Sequence, residues 1–89
     1  MEVAFTKTFS KQIDAIRNKS LKTKLAQTVC NVMSAVTLQD IVNLKKMQGH
    51  STAYRIKIGD YRVGLFFEEG VIVFAYFAHR KDIKRLHQG

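Results

Sequence analysis

YRIKIGDYRVGLFFEEGVIVFAYFAHRKDIKR, residues 54–85, decides the fold. Two runs rich in β-branched and aromatic residues meet at Gly59-Asp60, and a Gly-Asp pair between such runs signals a two-residue hairpin turn. That turn predicts a register in which Ile58 faces Tyr61, Lys57 faces Arg62, Ile56 faces Val63, Arg55 faces Gly64 and Tyr54 faces Leu65. Because side chains alternate across a strand, Tyr54, Ile56, Ile58, Tyr61, Val63, Leu65 and Phe67 make one apolar face. The opposite face gathers Arg55, Lys57 and Arg62, with Gly64 expected to leave open space beside Arg55. Like charges directly opposed on a sheet cost roughly 0.2–1 kcal/mol. A cationic trio with no carboxylate on its face before Glu68 therefore reads as a surface that expects an anion. Basic residues on a half-exposed antiparallel sheet can equally serve only to keep it soluble.

Working outward, Glu69-Gly70 closes a second hairpin and residues 71–79 form a third strand. Its run from Val71 to Ala78 is apolar throughout, which suits a central strand covered on parts of both faces. A two-residue turn at Glu69-Gly70 pairs Arg62 with Phe77 and puts His79 on the cationic face. A three-residue loop reverses the parity and brings Arg80 there instead. Lys81, Lys84 and Arg85 follow in one terminal helical turn.

Upstream, Glu2 to Phe5 reads as a short first strand. Phe9, Ile13 and Ile16 then fall on one helical face, with Thr6 or Thr8 supplying the N-cap oxygen. Asn18-Lys19-Ser20 breaks the run, and Ser20 is the expected N-cap of a second helix. Its stripe is Leu21, Leu25, Val29, Val32, Met33 and Val36, flanked by Cys30 as a small packing residue. A break of that length implies an antiparallel helical hairpin. Residues 37–51, with Leu38, Ile41, Leu44 and Met47 spaced at three, connect helices to sheet as a short helical turn or an anchored loop. Gly49 ends the connection, Lys45 and Lys46 extend the positive surface, and His50 is a loop residue. The result is an α+β fold in two layers, an N-terminal strand and helical hairpin packed on an antiparallel β-sheet.

Length and charge bound the function. Eighty-nine residues make a single domain, residues 1–89, with one core. Fifteen Lys and Arg against seven Asp and Glu give a formal charge of +8, which favours phosphate backbones, anionic surfaces or acidic partners. The lone Cys30 forms no internal disulfide, and no Cys/His spacing marks a metal site or calls for a cofactor. There is no apolar leader and no run long enough to span a membrane, so a cytoplasmic protein is expected.

The order of elements, together with LKKMQGH (residues 44–50), YRIKIGDYRVGLFF (54–67) and FAHRKDIKR (77–85), closely resembles the RelE/ParE superfamily of bacterial and archaeal toxins, nearer its RelE-like branch. The resemblance covers essentially the whole chain. It implies the toxin of a type II toxin–antitoxin system, an mRNA endoribonuclease working at the ribosomal A site. Such a toxin cleaves by attack of a ribose 2′-hydroxyl on the adjacent phosphate without a metal, inhibits translation, and is silenced by a cognate antitoxin. By position, Arg55, Lys57, Arg62 and Arg80 match the family's functional cations. Arg62 and Arg80 would hold the scissile phosphate and Arg55 would position RNA, with Lys45, Lys46, Lys81 and Lys84 as further contacts. Lys57 is an acid/base candidate, since cationic neighbours favour the neutral form of a lysine amine. His79 competes for that role because an imidazole titrates near neutrality. One departure stands out: where the family pattern closes His-Arg-x-Asp-x-Tyr, this chain has Lys84, a cation that cannot stack on a base. Two other readings therefore stay open, a catalytically silent basic module binding antitoxin or RNA, and a ParE-like gyrase inhibitor, against which the intact Tyr-Arg-x-Lys hairpin argues.

Overall fold

The structure, a computed structural model, describes the backbone of residues 1–49 and 51–87 and side chains as far as Ile83. His50 lies outside the described residues. Along the chain run β1 (Glu2–Phe5), α1 (Lys7–Asp14), α2 (Lys19–Ser34), a 3-10 turn (Leu38–Asp40), β2 (Leu44–Lys46), β3 (Ala53–Ile58), β4 (Tyr61–Glu68), β5 (Val71–His79) and α3 (Arg80–His87). The sheet has five strands in the order β1-β5-β4-β3-β2. It is antiparallel except that β1 joins β5 in parallel. The three-stranded sheet read from the sequence is thus extended at both edges.

Local chemistry accounts for the element boundaries. Thr6 is the N-cap of α1, its hydroxyl accepting from the Phe9 N–H at 3.1 Å. For α2 the cap is Asn18 rather than Ser20, because the Asn18 amide oxygen reaches the Leu21 N–H at 3.1 Å and starts the helix one residue before the serine. Within the connection, Asp40 accepts from the backbone N–H of Thr37 and of Val36, which closes the 3-10 turn. Those bonds, the Thr37 one foremost, hold the Asp40 carboxyl below its usual range. Residues 44–46, expected in a helical turn or loop, instead pair with β3.

One core fills the space between helices and sheet. Phe9, Leu25 and Val32 from the helical layer meet Ile56, Val63, Leu65, Ile72, Phe74 and Phe77 from the strands. Phe9 and Phe74 are fully buried, and Phe5 stacks on both from the β1 edge. Met33 and Cys30, expected as packing residues, are exposed, and Val36 lies beyond the end of α2 with its side chain 83 % exposed. Val32, in the same last turn as Met33, is fully buried, so the face that carries Cys30 and Met33 is the one turned away from the core.

The hairpins differ in how far their registers obey the turns. At Gly59-Asp60 only Gly59 has positive φ, 57°, and every predicted β3–β4 pair from Tyr54↔Leu65 to Ile58↔Tyr61 is present. At Glu69-Gly70 both residues have positive φ, 51° and 80°, and Glu68 pairs with Val71 as a two-residue turn requires. Five residues further on the register slips: Leu65 pairs with Phe74 but Gly64 with Tyr76, leaving Ala75 as an unpaired bulge residue. Arg62 consequently pairs with Ala78, not Phe77. The bulge forms where β1 ends and β5 loses its parallel neighbour. The α1 segment takes over the freed backbone groups there: the Thr6 N–H donates to the Phe74 carbonyl at 3.0 Å and the Thr6 hydroxyl to the Ala75 carbonyl at 2.8 Å. The Gln12 side-chain oxygen accepts from the Phe77 N–H at 2.7 Å.

Candidate nucleic-acid interface

The uncovered face of the sheet brings the basic residues into rows. One row runs Lys45, Arg55, Gly64, Tyr76 across β2, β3, β4 and β5, and the next runs Lys57, Arg62, Ala78. Asn43, at φ 63° just before β2, joins them. A pocket of about 300 Å³ is lined by Asn43, Lys45, Arg55, Lys57 and Arg62. Apart from the Asn43 amide, every side chain lining it carries donors and no acceptor. Such a pocket is complementary to an acceptor-rich anion, and a guanidinium can grip a phosphate through two parallel bonds.

Arg62 is preorganised: its guanidinium donates to the carbonyls of Gly59 and Tyr61, each at 2.9 Å, which folds the side chain back along the hairpin. Arg80 opens α3 at the same end of the sheet. Its backbone N–H donates to the Asp60 carbonyl at 2.7 Å and its guanidinium lies 3.7 Å from the Asp60 carboxylate. More than half of each side chain in that ion pair is exposed, so it orients Arg80 without holding it tightly.

The bulge sends His79 to the other side. It pairs with Tyr61, meets that ring edge-on at 5.2 Å, and its Nδ1 accepts from the Lys81 N–H at 3.2 Å. There it borders a larger pocket of about 680 Å³ on the helical side, whose walls include Gln12, Tyr61, Phe77 and Asp82 and where Arg17 is the one Lys or Arg among the described residues. His79 is therefore removed from the cationic cluster on which its proton-transfer role depended. Lys46 pairs with Tyr54 and so projects to the helical side, while Lys45 alone of the two joins the pocket. Lys81 is exposed on α3. The Lys84 side chain lies outside the described residues. The terminal turn expected to carry these lysines is in fact a helix of eight residues.

Two residues of this face escape the sequence reading. Asn43 gave no signal beyond an asparagine before a short apolar segment, and an asparagine tolerates the left-handed backbone needed there. Tyr76 sat in an apolar run whose alternation was hidden. Its ring lies flat over Gly64, so a Cβ at that position would run into it. The space expected to be open beside Arg55 is thus occupied. The Tyr76 hydroxyl is buried without a hydrogen-bond partner among the described residues. Burial raises the phenol above its usual range, with nearby Arg55 opposing the shift.

Among the described residues no group of His, Cys, Asp or Glu is arranged to hold a metal ion, and no helix is long and apolar enough to cross a membrane.

Comparison with known proteins places this arrangement. No protein-family model matches the chain. It is 30 % identical over 84 residues to Toxin RelE3 of Methanocaldococcus jannaschii, covering 93 % of this chain and 94 % of that protein. Among solved structures, the RelB-RelE antitoxin-toxin complex from Methanococcus jannaschii matches with a TM-score of 0.78 and 27 % identity, over 91 % of this chain and 94 % of that one. The archaeal RelE-RelB complex from Pyrococcus horikoshii matches in fold with a TM-score of 0.69 at 19 % identity, over 89 % and 93 % of the two chains. The isolated E. coli RelE toxin likewise shares the fold, TM-score 0.69 at 15 % identity, over 96 % and 97 %. With a relative at this identity spanning nearly the full length, and a solved RelB-RelE complex sharing the fold over nine-tenths of the chain, the chain belongs to the RelE family of toxins.

Proposed function

We propose that this chain is the toxin of a type II toxin–antitoxin pair, a cytoplasmic endoribonuclease that cuts translated mRNA at the ribosomal A site and so inhibits translation. The observation that carries the reading is the convergence of Lys45, Arg55, Lys57 and Arg62 on one pocket of an uncovered sheet face, with Arg80 at its turn end. Like charges are held together there at a cost to folding, which an anionic substrate would offset.

Attack by a ribose 2′-oxygen on the adjacent phosphorus needs three things: removal of the hydroxyl proton, stabilisation of the charge that accumulates on the phosphorane, and protonation of the departing 5′-oxygen. Arg62 and Arg80 serve the second need by donating to the non-bridging oxygens as their charge grows, Arg62 from a side chain already held by the Gly59 and Tyr61 carbonyls. Arg55 and Lys45 hold the flanking backbone. With His79 on the opposite face, Lys57 is the side chain in the cluster suited to moving a proton, and Lys84 would add a phosphate contact. None of these steps routes through a metal. The solved RelB-RelE complexes supply the reason for proposing an antitoxin partner, which would cover part of this basic surface until released.

A second reading is favoured by Lys84 standing where the family pattern has tyrosine: a basic module that binds antitoxin or RNA without cutting. Induced expression separates the two. Wild type and an Arg62→Ala, Arg80→Ala double variant are compared by primer extension on a translated reporter mRNA, with growth followed in parallel. In-frame, translation-dependent cuts that fall on the order of a hundredfold in the variant support the nuclease. Growth arrest without cuts redirects attention to another target such as gyrase. Neither arrest nor cuts from folded wild type overturns the nuclease, and Lys84→Tyr then tests whether the missing aromatic is the cause.

A further inference from the structure

Tyr76 combines features that a packing role does not explain. Its ring fills the groove over Gly64 on the uncovered face, and its hydroxyl, reaching toward Arg55, is a buried donor with no acceptor. A core position would carry phenylalanine at less cost, because a buried hydroxyl without a partner forfeits the hydration it had in the unfolded chain. The side chains of the adjoining pocket deepen the mismatch: Arg55, the charged neighbour of the phenol, and Lys45, Lys57 and Arg62 beyond it offer only donors, so none of them can receive the phenolic proton. The pocket's one side-chain acceptor, the Asn43 amide, makes no hydrogen bond to the hydroxyl.

We propose that Tyr76 is a substrate-binding residue, its hydroxyl donating to a phosphate oxygen of single-stranded RNA that Arg55 draws into the pocket. The inference rests on the cationic face being an RNA site and names a further contact within it. Arg55 is half-buried, opposite Gly64, with a long flexible stem, and swinging its guanidinium outward to a phosphate uncovers the hydroxyl beside it. Burial keeps the phenol protonated, hence a donor, at neutral pH. RNA is favoured over an acidic polypeptide because the same face continues from Tyr76 to Phe66, a ring 39 % exposed in the adjoining row, and aromatic surface beside cations suits unstacked bases.

The test measures affinity for a short fluorescent single-stranded oligoribonucleotide across a salt series, with thermal unfolding of each protein, for wild type, Tyr76→Phe, Arg55→Gln and Arg62→Ala. The proposal expects Tyr76→Phe to bind about tenfold more weakly while unfolding no lower than wild type. Its salt slope stays that of wild type, since no charge is lost, whereas Arg55→Gln flattens the slope. If Arg62→Ala weakens binding and Tyr76→Phe does not, the Tyr76 contact is overturned while the RNA site stands. If neither weakens it, both fall. Weaker binding accompanied by a lower unfolding temperature assigns Tyr76 a structural role and overturns the contact. Equally tight polyglutamate binding with the same dependence on the hydroxyl overturns RNA as the ligand in favour of an acidic protein.

Discussion

The two faces of one sheet obey opposite rules. Strands β3, β4 and β5 turn Ile56, Val63, Leu65, Ile72 and Phe74 toward the helices, where apolar burial stabilises and, among the described residues, no polar or charged residue is buried. The same strands turn Arg55, Lys57 and Arg62 the other way, where like charges adjoin and a tyrosine hydroxyl lacks a partner. One face lowers the free energy of the fold, and the other draws on that stability to hold an arrangement the chain would not adopt for its own sake. The difference teaches where to look for function in a domain this small: on the face whose contacts are unfavourable until something else is present.

That contrast can be broken in order of expected effect. Phe74→Ala removes a buried ring packed against both Phe5 and Phe9 and should cost about 3–5 kcal/mol, read as a collapse of the denaturant midpoint. A loss below about 1 kcal/mol would mean that the core face is not the stabilising one.

Gly64→Ala lies on the other face and should nevertheless behave like a core change. Its methyl group meets the Tyr76 ring, so we expect about 1–3 kcal/mol of destabilisation, largely recovered in a Gly64→Ala, Tyr76→Ala double variant. Additive losses in that double-mutant cycle would show that the ring does not sit over the glycine.

Lys57→Gln should reverse the sign. Relieving repulsion against Arg62 should raise stability by about 0.2–1 kcal/mol at low salt, with the gain shrinking as salt is added, while RNA binding weakens. Loss of stability together with loss of binding would remove the contrast between the faces.

The smallest effect belongs to Asp40, remote from both. Its carboxyl is held below the usual range by the Thr37 and Val36 N–H groups, so its contribution is present above the unfolded carboxylate range and is lost as pH falls through the lowered folded value. Asp40→Asn should therefore lower the unfolding temperature slightly at neutral pH and leave it unchanged in acid, as thermal scans at the two pH values would reveal.

How much of this was written in the chain itself depends on the distance over which each feature is decided. The β3–β4 hairpin was legible pair by pair, because Gly59 at positive φ sets the turn and a period of two carries the register from there. The cationic trio, the apolar face and the helical hairpin followed from the same local rules. Residues 44–46 were not legible as a strand: three residues give no alternation to read, and they become one only by pairing with β3. That pairing separates Lys45 from Lys46, which the sequence treats alike. The sharpest division comes at β5. The chain left a two-residue turn and a three-residue loop open at Glu69-Gly70; the turn is the two-residue one, yet the face that His79 takes was decided by a bulge at Ala75. Its freed backbone groups are satisfied by Thr6 and Gln12, more than sixty residues earlier in the chain. Periodicity and turn chemistry reach only as far as the next strand. Parity beyond a bulge is settled by hydrogen-bond partners that only the folded chain brings together.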